Sequence, residues 1–263
     1  MSLRSGLGAV RRKVLCSLYQ RSAALGSGGP IVSFTFDDFP RTAYSVGGPI
    51  LERFGARGTY YAAAGLMNVS NEQGEHFHSG DIDSLLEHGH ELGSHTFSHL
   101  SCRSVSYAVF REDVNKGAIA IEKASGQSSP NFAYPFGAVT LQAKGKLGRE
   151  LSSARGIVPG FNGPEMDLNL LRANGLYGDV DRARLAEDLI AENAKRRTWL
   201  IFYTHDVRPN PSAFGCTPAL LEAAVSCAAR SGCRILTVRE ALVEPGALRP
   251  ELKSVSRASQ IAD

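Results

Sequence analysis

Two adjacent carboxylates and a closely spaced pair of imidazoles are the residues of this 263-residue chain best suited to chemistry. Asp37 and Asp38 directly follow the apolar run 31–36, and His95 and His99 follow a second, shorter apolar run. A spacing of i, i+4 places two imidazoles on one face of a helical turn, which is common among zinc ligands. Two histidines and one carboxylate make a three-ligand metal site that keeps a position open for water.

Each motif also has a purely structural explanation. The acidic pair could be solvated loop residues or could cap the following helix, and the histidine pair could be incidental. Adjacent side chains at a strand end point in different directions, so one carboxylate can bind a metal while the other faces a water. The glutamate of the His-Glu-x-x-His zinc motif is missing here, so the general base must come from elsewhere, and Asp37 is the natural candidate.

A third imidazole follows the most apolar run of the chain. His205 lies in Tyr203-Thr-His-Asp206, and its ordinary pKa of ~6.5 suits a general acid that protonates a leaving amine. A buried structural histidine is the alternative, and metal ligation by His205 also stays open. The remaining histidines are interpreted as non-catalytic: His76, His78, His88 and His90.

Strands and helices alternate along most of the chain. Strands are predicted at 31–36, 58–63, 91–94, 131–134, 152–158, 199–204 and 234–238. Helices are predicted at 43–54, 81–87, 104–124, 140–149, 181–196 and 217–231. This alternation is typical of a parallel sheet with helices outside, and the length fits a closed or nearly closed α/β barrel. Chemistry in such a barrel belongs at the C-terminal ends of the strands, so the acids and imidazoles should meet at one rim.

The sequence divides into three parts. Residues 1–29 are predicted to form a basic helical arm, 30–244 the barrel, and 245–263 a polar, loosely held tail. The arm has apolar residues at helical spacing, namely Leu3, Leu7, Val10, Val14 and Leu18. It could dock on the barrel or lie on an anionic membrane surface, and a peripheral membrane contact is therefore an open expectation.

Charge and cysteine usage exclude several classes of protein. The chain has 29 basic and 26 acidic residues, and residues 1–29 hold five of the basic and none of the acidic ones. The remainder is 24 against 26, or −2, so a nucleic-acid partner is not expected. Five cysteines without a CxxC pair, and no long apolar run or secretory leader, favour reduced thiols in a cytoplasmic protein. Serine-hydrolase elbows and nucleotide-binding glycine loops are also missing.

Four short motifs resemble, in type and order, those of polysaccharide deacetylases of the NodB-homology type. They are Thr35-Phe-Asp-Asp38, His95-Thr-Phe-Ser-His99, Tyr134-Pro-Phe-Gly137 and Tyr203-Thr-His205. The resemblance covers roughly residues 31–243. It implies an irregular (β/α)7-type barrel and a hydrolase that removes acetyl groups from N-acetylated sugars. It also implies a divalent metal, commonly Zn²⁺, with Co²⁺ or Ni²⁺ as alternatives.

Roles for individual residues follow from the same resemblance. Asp38, His95 and His99 are implied to bind the metal. Asp37 is implied to be the base that activates water, and His205 the acid that protonates the departing amine.

The resemblance further implies that the turn after the fourth predicted strand contacts the substrate. The backbone N–H of Phe136 would help to hold the oxyanion, with Tyr134 and Pro135 beside it. The expected partner is an N-acetylated carbohydrate, such as an oligosaccharide, a lipid-linked glycan or a sugar nucleotide. Two alternatives stay open: a metal-dependent amidase acting on a small non-sugar C–N bond, and an inactive carbohydrate-binding homologue.

The sequence departs from the family pattern at one charged position. The family often has an arginine two residues before the proline of the turn, where it orients the base, and this chain has Ala133 there. A substitute must come from another strand if the base is to be oriented. Arg155 and Arg172 are the candidates, and Arg155 is preferred.

Overall fold

Eight parallel strands form the main sheet of the computed structural model, which describes residues 13–26, 28–243 and 248–249. The strands are β1 (Ser22–Leu25), β2 (Ile31–Asp37), β3 (Thr59–Ala62), β4 (Ser70–Asn71), β5 (Gly74–Glu75), β6 (Glu91–Ser94), β7 (Asn131–Ala133), β8 (Ser153–Arg155), β9 (Glu165–Asp167), β10 (Asn174–Gly175), β11 (Trp199–Thr204), β12 (Arg234–Ile235) and β13 (Leu248–Arg249). The α-helices are α1 (Arg41–Ser45), α2 (Gly47–Glu52), α3 (Ser79–Glu87), α4 (Tyr107–Ser125), α5 (Leu141–Leu147), α6 (Ala183–Arg196), α7 (Pro218–Arg230) and α8 (Val238–Val243). Short 3-10 turns lie at Ala64–Leu66, Pro135–Gly137 and Val180–Arg182.

The strand order brings the predicted rim together. The sheet runs β10-β11-β2-β3-β6-β7-β8, and β12 pairs with the first residues of β2. In register, Asp37 at the end of β2 lies opposite Tyr61 of β3, and Thr204 at the end of β11 lies opposite Phe36. The C-terminal ends of neighbouring strands therefore meet on one side.

A short segment links the two edges of this curled sheet. Leu171 forms a bridge with Arg155 of β8, and three residues later, at Asn174, β10 begins to pair with β11. Each of the seven predicted strands corresponds to a strand of the main sheet, so the predicted barrel-type alternation is confirmed. β10 was not predicted because two residues are too few to carry a pattern.

Burial and capping explain where these elements form. All seven residues of β2 are buried, as expected for a central strand of a parallel sheet, and Phe36 stacks on Tyr60 with ring centroids 4.6 Å apart. The long helix α4 begins three residues later than predicted because the Ser106 side chain accepts a hydrogen bond from Val109 N. The predicted helix 43–54 is two shorter helices, which meet at Val46.

The ends of the chain differ from the prediction. Residues 13–17 are helical, but the predicted arm also contains strand β1, which pairs antiparallel with β9 and with β13. β13 lies in the predicted loose tail. The backbone groups of both segments find partners in this three-stranded sheet, and that long-range pairing leaves no periodic signal in so few residues.

A buried lysine ties the N-terminal segment to the barrel. Lys144 Nζ donates to the carbonyl oxygens of Leu15 and Leu18, at 2.7 Å each, and lies 2.6 Å from Asp167 Oδ2. Lys144 is fully buried and Leu15 packs in an apolar cluster with Phe110. This part of the arm is therefore docked on the domain.

Leu3, Leu7 and Val10, three of the five apolar residues of the predicted arm, lie outside the described residues, so membrane contact stays a prediction. Among the helices that the structure describes, none has both the length and the apolar character needed to cross a bilayer. All five cysteines are free, as their spacing predicted.

Candidate metal centre

Left-handed backbone is concentrated where the strands end. Asp38 and Phe39, after β2, have φ of 63° and 57°, and Thr96 and His99, after β6, have φ of 68° and 53°. Phe136, in the turn after β7, has φ of 58°. Such a conformation costs a non-glycine residue on the order of 1–3 kcal/mol, and it persists where surrounding structure enforces it. The rim thus holds its polar side chains on turns that are strained in the same way.

Asp38, His95 and His99 converge at this rim. Asp38 Oδ1 lies 3.3 Å from His95 Nε2 and 3.0 Å from His99 Nε2. The three ligand atoms all lie within 4.8 Å of one another. Among the described residues, no other group of three or more acidic, histidine or cysteine side chains lies close enough together to share an ion. The structure therefore brings together the three side chains that the motifs single out as metal ligands.

The hydrogen bonding of His95 fixes its tautomer for coordination. His95 Nδ1 donates to the carbonyl oxygen of Ala133 at 2.8 Å. Because that nitrogen carries the proton, Nε2 presents a lone pair toward Asp38. A backbone carbonyl in this place is the usual outer partner of a metal-binding imidazole.

The electrostatics of the cluster fit a cation. Burial would raise the pKa of Asp38, but the imidazoles of His95, His99 and His205, when they are protonated, hold that pKa well below its usual range. Burial, with the neighbouring His95 charge, lowers the pKa of His99 to about 4. Asp38 Oδ1 is buried and has no hydrogen-bond partner among the described residues. An ionised carboxylate oxygen beside two imidazoles, which bind metals in their neutral form, matches the donor set of a divalent metal such as zinc.

Asp37 is paired with a cation from across the sheet. Arg155 Nη2 donates to Asp37 Oδ1, and both side chains are buried. The Arg155 guanidinium also lies 5.1 Å from the ring centroids of Tyr61 and Tyr203. Burial would lower the pKa of Arg155, but the charge of Asp37 and the hydrogen bond to it raise the pKa. Arg172, the other arginine proposed from the sequence, instead donates to the carbonyl oxygen of Pro159.

His205 faces the Asp38 carboxylate from the side of its Oδ2 atom. Its Nε2 lies 3.8 Å from Asp38 Oδ2. Its Nδ1 is 3.1 Å from the carbonyl oxygen of Phe214 and therefore carries a proton. The Nε2 atom is thus the one available for proton exchange at the rim.

Three residues of the turn after β7 are predicted to contact the substrate, and the side chain of one of them, Phe136, reaches the cluster. The ring of Phe136 is 65 % exposed and its centroid lies 4.3 Å from that of His99. Tyr134 is different, since its side chain is buried in an apolar cluster against Phe132. Strand alternation turns the Tyr134 side chain into the core, so its placement does not support the predicted substrate role of Tyr134. Pro135 is also buried.

The family comparison agrees with this geometry. A family model described as polysaccharide deacetylase matches residues 26–150, a stretch that includes Asp37, Asp38, His95 and His99. Residues 26–150 belong to the polysaccharide deacetylase family. Arg155 and His205 lie beyond the matched stretch and are joined to it by the fold.

A curated protein also resembles part of this chain. A chitin deacetylase of Arthroderma benhamiae is 39% identical over 112 residues. That alignment covers 39% of this chain and 28% of the chitin deacetylase, so the chain spans well under half of its relative's length.

Solved structures have the same fold. The Xyl-CE4 domain of a multidomain xylanase from the hindgut metagenome of Trinervitermes trinervoides has a TM-score of 0.55 at 18% identity, covering 85% of this chain and 94% of that domain. A family 4 acetyl xylan esterase from Clostridium thermocellum has a TM-score of 0.51 at 19% identity, covering 80% of this chain and 89% of that one. The barrel-type fold of this chain is therefore shared with these proteins.

Two residues at the rim were missed in the sequence analysis. Gln73 Nε2 donates to Asp38 Oδ2 at 2.9 Å, and the half-exposed ring of Phe214 lies 5.8 Å from that of His205. Both belong to connections without periodicity. The turn-forming sequence Asn71-Glu-Gln-Gly74 predicts a hairpin but gives no indication of what its tip contacts.

The remaining histidines have other partners. His90 Nε2 and His88 Nδ1 both lie close to Glu52 Oε1, at 3.0 and 3.1 Å. His76 Nδ1 is 3.2 Å from the carbonyl oxygen of Val69, and His78 pairs with Glu75.

A cavity of about 790 Å³ lies at the other end of the sheet, where Asn131 begins β7. Arg21 and Arg239 line it, but no acid or imidazole does. The titratable side chains converge at the rim and not in this cavity, which favours the rim as the candidate site.

Proposed function

We propose that this protein is a metal-dependent hydrolase that removes the acetyl group from an N-acetylated sugar. The observation that carries the proposal is the convergence of Asp38, His95 and His99 within 4.8 Å, next to a second carboxylate and a third imidazole. Membership of the polysaccharide deacetylase family and the chitin deacetylase relative support the reaction class.

Asp38, His95 and His99 would hold the metal. Two imidazoles and one carboxylate suit Zn²⁺, and Co²⁺ or Ni²⁺ fit the same ligands. The Clostridium thermocellum esterase of the same fold was solved in complex with a cobalt ion. When bound, such a cation would polarise the acetyl carbonyl and make the attacking water more acidic.

Asp37 would serve as the general base. Arg155 engages Asp37 Oδ1, which fixes the carboxylate and leaves Oδ2 to accept the proton of the attacking water. This contact argues against the inactive-homologue alternative, because the base keeps a charged partner although position 133 is alanine.

His205 would serve as the general acid. With Nδ1 donating to the Phe214 carbonyl, a protonated His205 presents its second proton at Nε2, toward the rim. The amine of an amide is a poor leaving group until it is protonated, so this proton transfer completes C–N cleavage. The backbone N–H of Phe136 would stabilise the oxyanion; one such donor contributes about 2.7–4 kcal/mol where it has been measured.

Two exposed aromatic rings favour a carbohydrate. Phe136 is 65 % exposed and borders His99, and Phe214 is 54 % exposed and borders His205. Large exposed apolar rings at a polar site are typical of ligand-binding surfaces, and the C–H faces of sugar rings pack well against them.

The test is acetate release from N-acetylglucosamine oligomers by protein stripped of metal and then reloaded with Zn²⁺ or Co²⁺. We expect activity only after metal is restored, and none from the Asp38→Asn variant. The same preparations are assayed on a cyclic amide and on acetylated xylan. Turnover of the cyclic amide alone would favour the small-molecule amidase, and an inert reloaded protein that still binds the oligomer would favour the inactive homologue.

The acid assignment has a separate test. His205→Ala should lower amide hydrolysis much more than ester hydrolysis, because an alkoxide leaves with less need of a proton than an amine does. Equal losses on both substrates would show that His205 is not the acid for the leaving group.

A further inference from the structure

Asp38 is held by a residue that lies outside the motifs. Gln73 is at the tip of the hairpin formed by β4 and β5, and its Nε2 donates to Asp38 Oδ2 at 2.9 Å. The other oxygen of the carboxylate, Oδ1, is the one that lies near His95 and His99. The two oxygens of Asp38 are therefore differentiated by their surroundings.

The chemistry of the contact determines which end of the amide faces Asp38. A glutamine carbonyl oxygen in this place would be repelled by the carboxylate, so the amide N–H₂ must be the group that faces it. This donor is neutral, so it occupies one oxygen of Asp38 and leaves the negative charge for a cation. A lysine or arginine here would instead compete with the metal.

The base of the hairpin is fastened to the segment that carries Asp38. Phe77 N donates to the carbonyl oxygen of Phe39 at 3.2 Å, and the two rings stack with centroids 4.8 Å apart. Phe39 directly follows Asp38, so these contacts tie the base of the hairpin to the segment that carries the carboxylate.

The tip of the hairpin is fastened to the segment that carries His205. Arg208 Nη2 donates to the carbonyl oxygen of Glu72 at 2.8 Å, and Arg208 Nε lies 2.7 Å from the buried Asp206 Oδ2. Within the hairpin, Asn71 Oδ1 accepts from Gln73 N at 2.8 Å and sets the turn. Gln73 is thus held between two anchors, one on each side of the metal centre.

We propose that Gln73 is a positioning residue that holds Asp38 in one-oxygen coordination, and that Arg208 braces it. The inference rests on the proposed metal site. Hydrogen-bonded outer partners of metal ligands typically contribute 10–100-fold in metal affinity. Without its donor, Oδ2 is free to turn toward the metal, and the coordination geometry changes.

The experiment uses full-length protein loaded with Co²⁺, whose visible absorption reports coordination number. Gln73→Ala removes the donor, and Gln73→Glu keeps the shape but replaces the donor with an acceptor. We expect both variants to bind Co²⁺ about 10–100-fold more weakly than wild type in a chelator competition, and to shift the visible bands. Arg208→Met should reproduce a smaller part of the loss. Ser70→Ala, at an exposed position on the same hairpin, is the matched control and should match wild type.

The outcomes separate the two levels of the proposal. Wild-type affinity and spectrum in both Gln73 variants, with wild type binding one Co²⁺, would overturn the positioning role and leave the metal site standing. A wild-type protein that binds no Co²⁺ would overturn both. Wild-type affinity in Arg208→Met would overturn the brace alone. Thermal unfolding of each metal-free variant shows whether it is folded.

Discussion

Two buried carboxylates at opposite ends of the barrel, Asp38 and Glu91, have very different surroundings. Glu91 begins β6 and is 3 % exposed, and Asp38 follows β2 and is 4 % exposed. They are therefore equally removed from solvent. What differs is the kind of group that each carboxylate contacts.

Neutral donors surround Glu91. Its Oε2 accepts from Thr59 Oγ1 and Arg239 N, at 2.8 Å each, and its Oε1 accepts from Asn131 Nδ2 at 2.7 Å. Burial raises the pKa of Glu91, and these hydrogen bonds only partly oppose it. The carboxylate ties β3, β6, β7 and the start of α8 together.

Asp38 has an oxygen without a hydrogen bond and imidazoles on two sides, and its pKa is lowered where that of Glu91 is raised. A carboxylate whose two oxygens both accept hydrogen bonds from the protein needs no further ligand. One that the fold keeps ionised but incompletely bonded is suited to a cation. The comparison therefore favours the Asp38 end of the barrel as the place for the proposed metal site.

The largest effect should come from Asp38. In Asp38→Asn we expect stoichiometric metal to be lost and turnover to fall about 10⁴-fold, because several kcal/mol of metal assistance disappear. The metal-free protein at pH 8 should unfold within about 1 kcal/mol of wild type, since Oδ1 has no hydrogen bond to lose. Metal analysis, acetate release and urea unfolding test this. Retention of metal would contradict the ligand assignment.

Asp37→Asn should separate metal binding from chemistry. We expect metal content to stay at wild-type level while kcat falls about 10²–10³-fold, because the variant keeps the shape of Asp37 but cannot accept a proton. Full turnover in a metal-loaded Asp37→Asn protein would show that Asp37 is not the base.

Glu91→Ala should do the reverse of Asp38→Asn. Three buried donors lose their acceptor, and we expect the free energy of unfolding to fall by about 3 kcal/mol. Metal affinity and the turnover of the folded fraction should not change. A loss of metal in this variant would mean that the two ends of the barrel are coupled.

The smallest effect concerns pH. Because the folded-state pKa of Glu91 is raised from 4.5, its contribution to stability is fully present below pH 4.5 and is lost as pH rises through the folded value. The unfolding free energy of metal-free wild type should therefore fall relative to that of Glu91→Gln as pH rises above 4.5. Urea midpoints of both proteins over this range test the sign, and parallel curves would contradict it.

The sequence was sufficient to predict the seven strands and the strand ends at which polar side chains converge. Long apolar runs such as 199–204 signal central strands directly, and a parallel barrel places their C-terminal ends together. Arg155 could be anticipated in the same way, since it lies in the predicted strand 152–158. These features depend on local pattern and on a general rule of the fold.

Contacts made by connections could not be predicted. Gln73 is a polar residue in a turn, and only the anchoring of the hairpin by Phe77 and Arg208 brings it to Asp38. Tyr134 lies beside the turn in sequence, yet its side chain belongs to the core. β1 and β13 pair across most of the length of the chain, and short strands of this kind carry too few residues to reveal a partner.

The route by which Arg155 reaches Asp37 has a bearing on how inactive members of such families are recognised. Here the guanidinium is supplied by β8, while the β7 position at which the resemblance leads one to expect an arginine is Ala133. A test for inactive homologues that considers only this one position would classify the chain as inactive. All strands of a barrel contribute side chains to the same interior. An arginine that is missing from one strand can therefore be replaced by an arginine on another, and the other strands should be examined before activity is excluded.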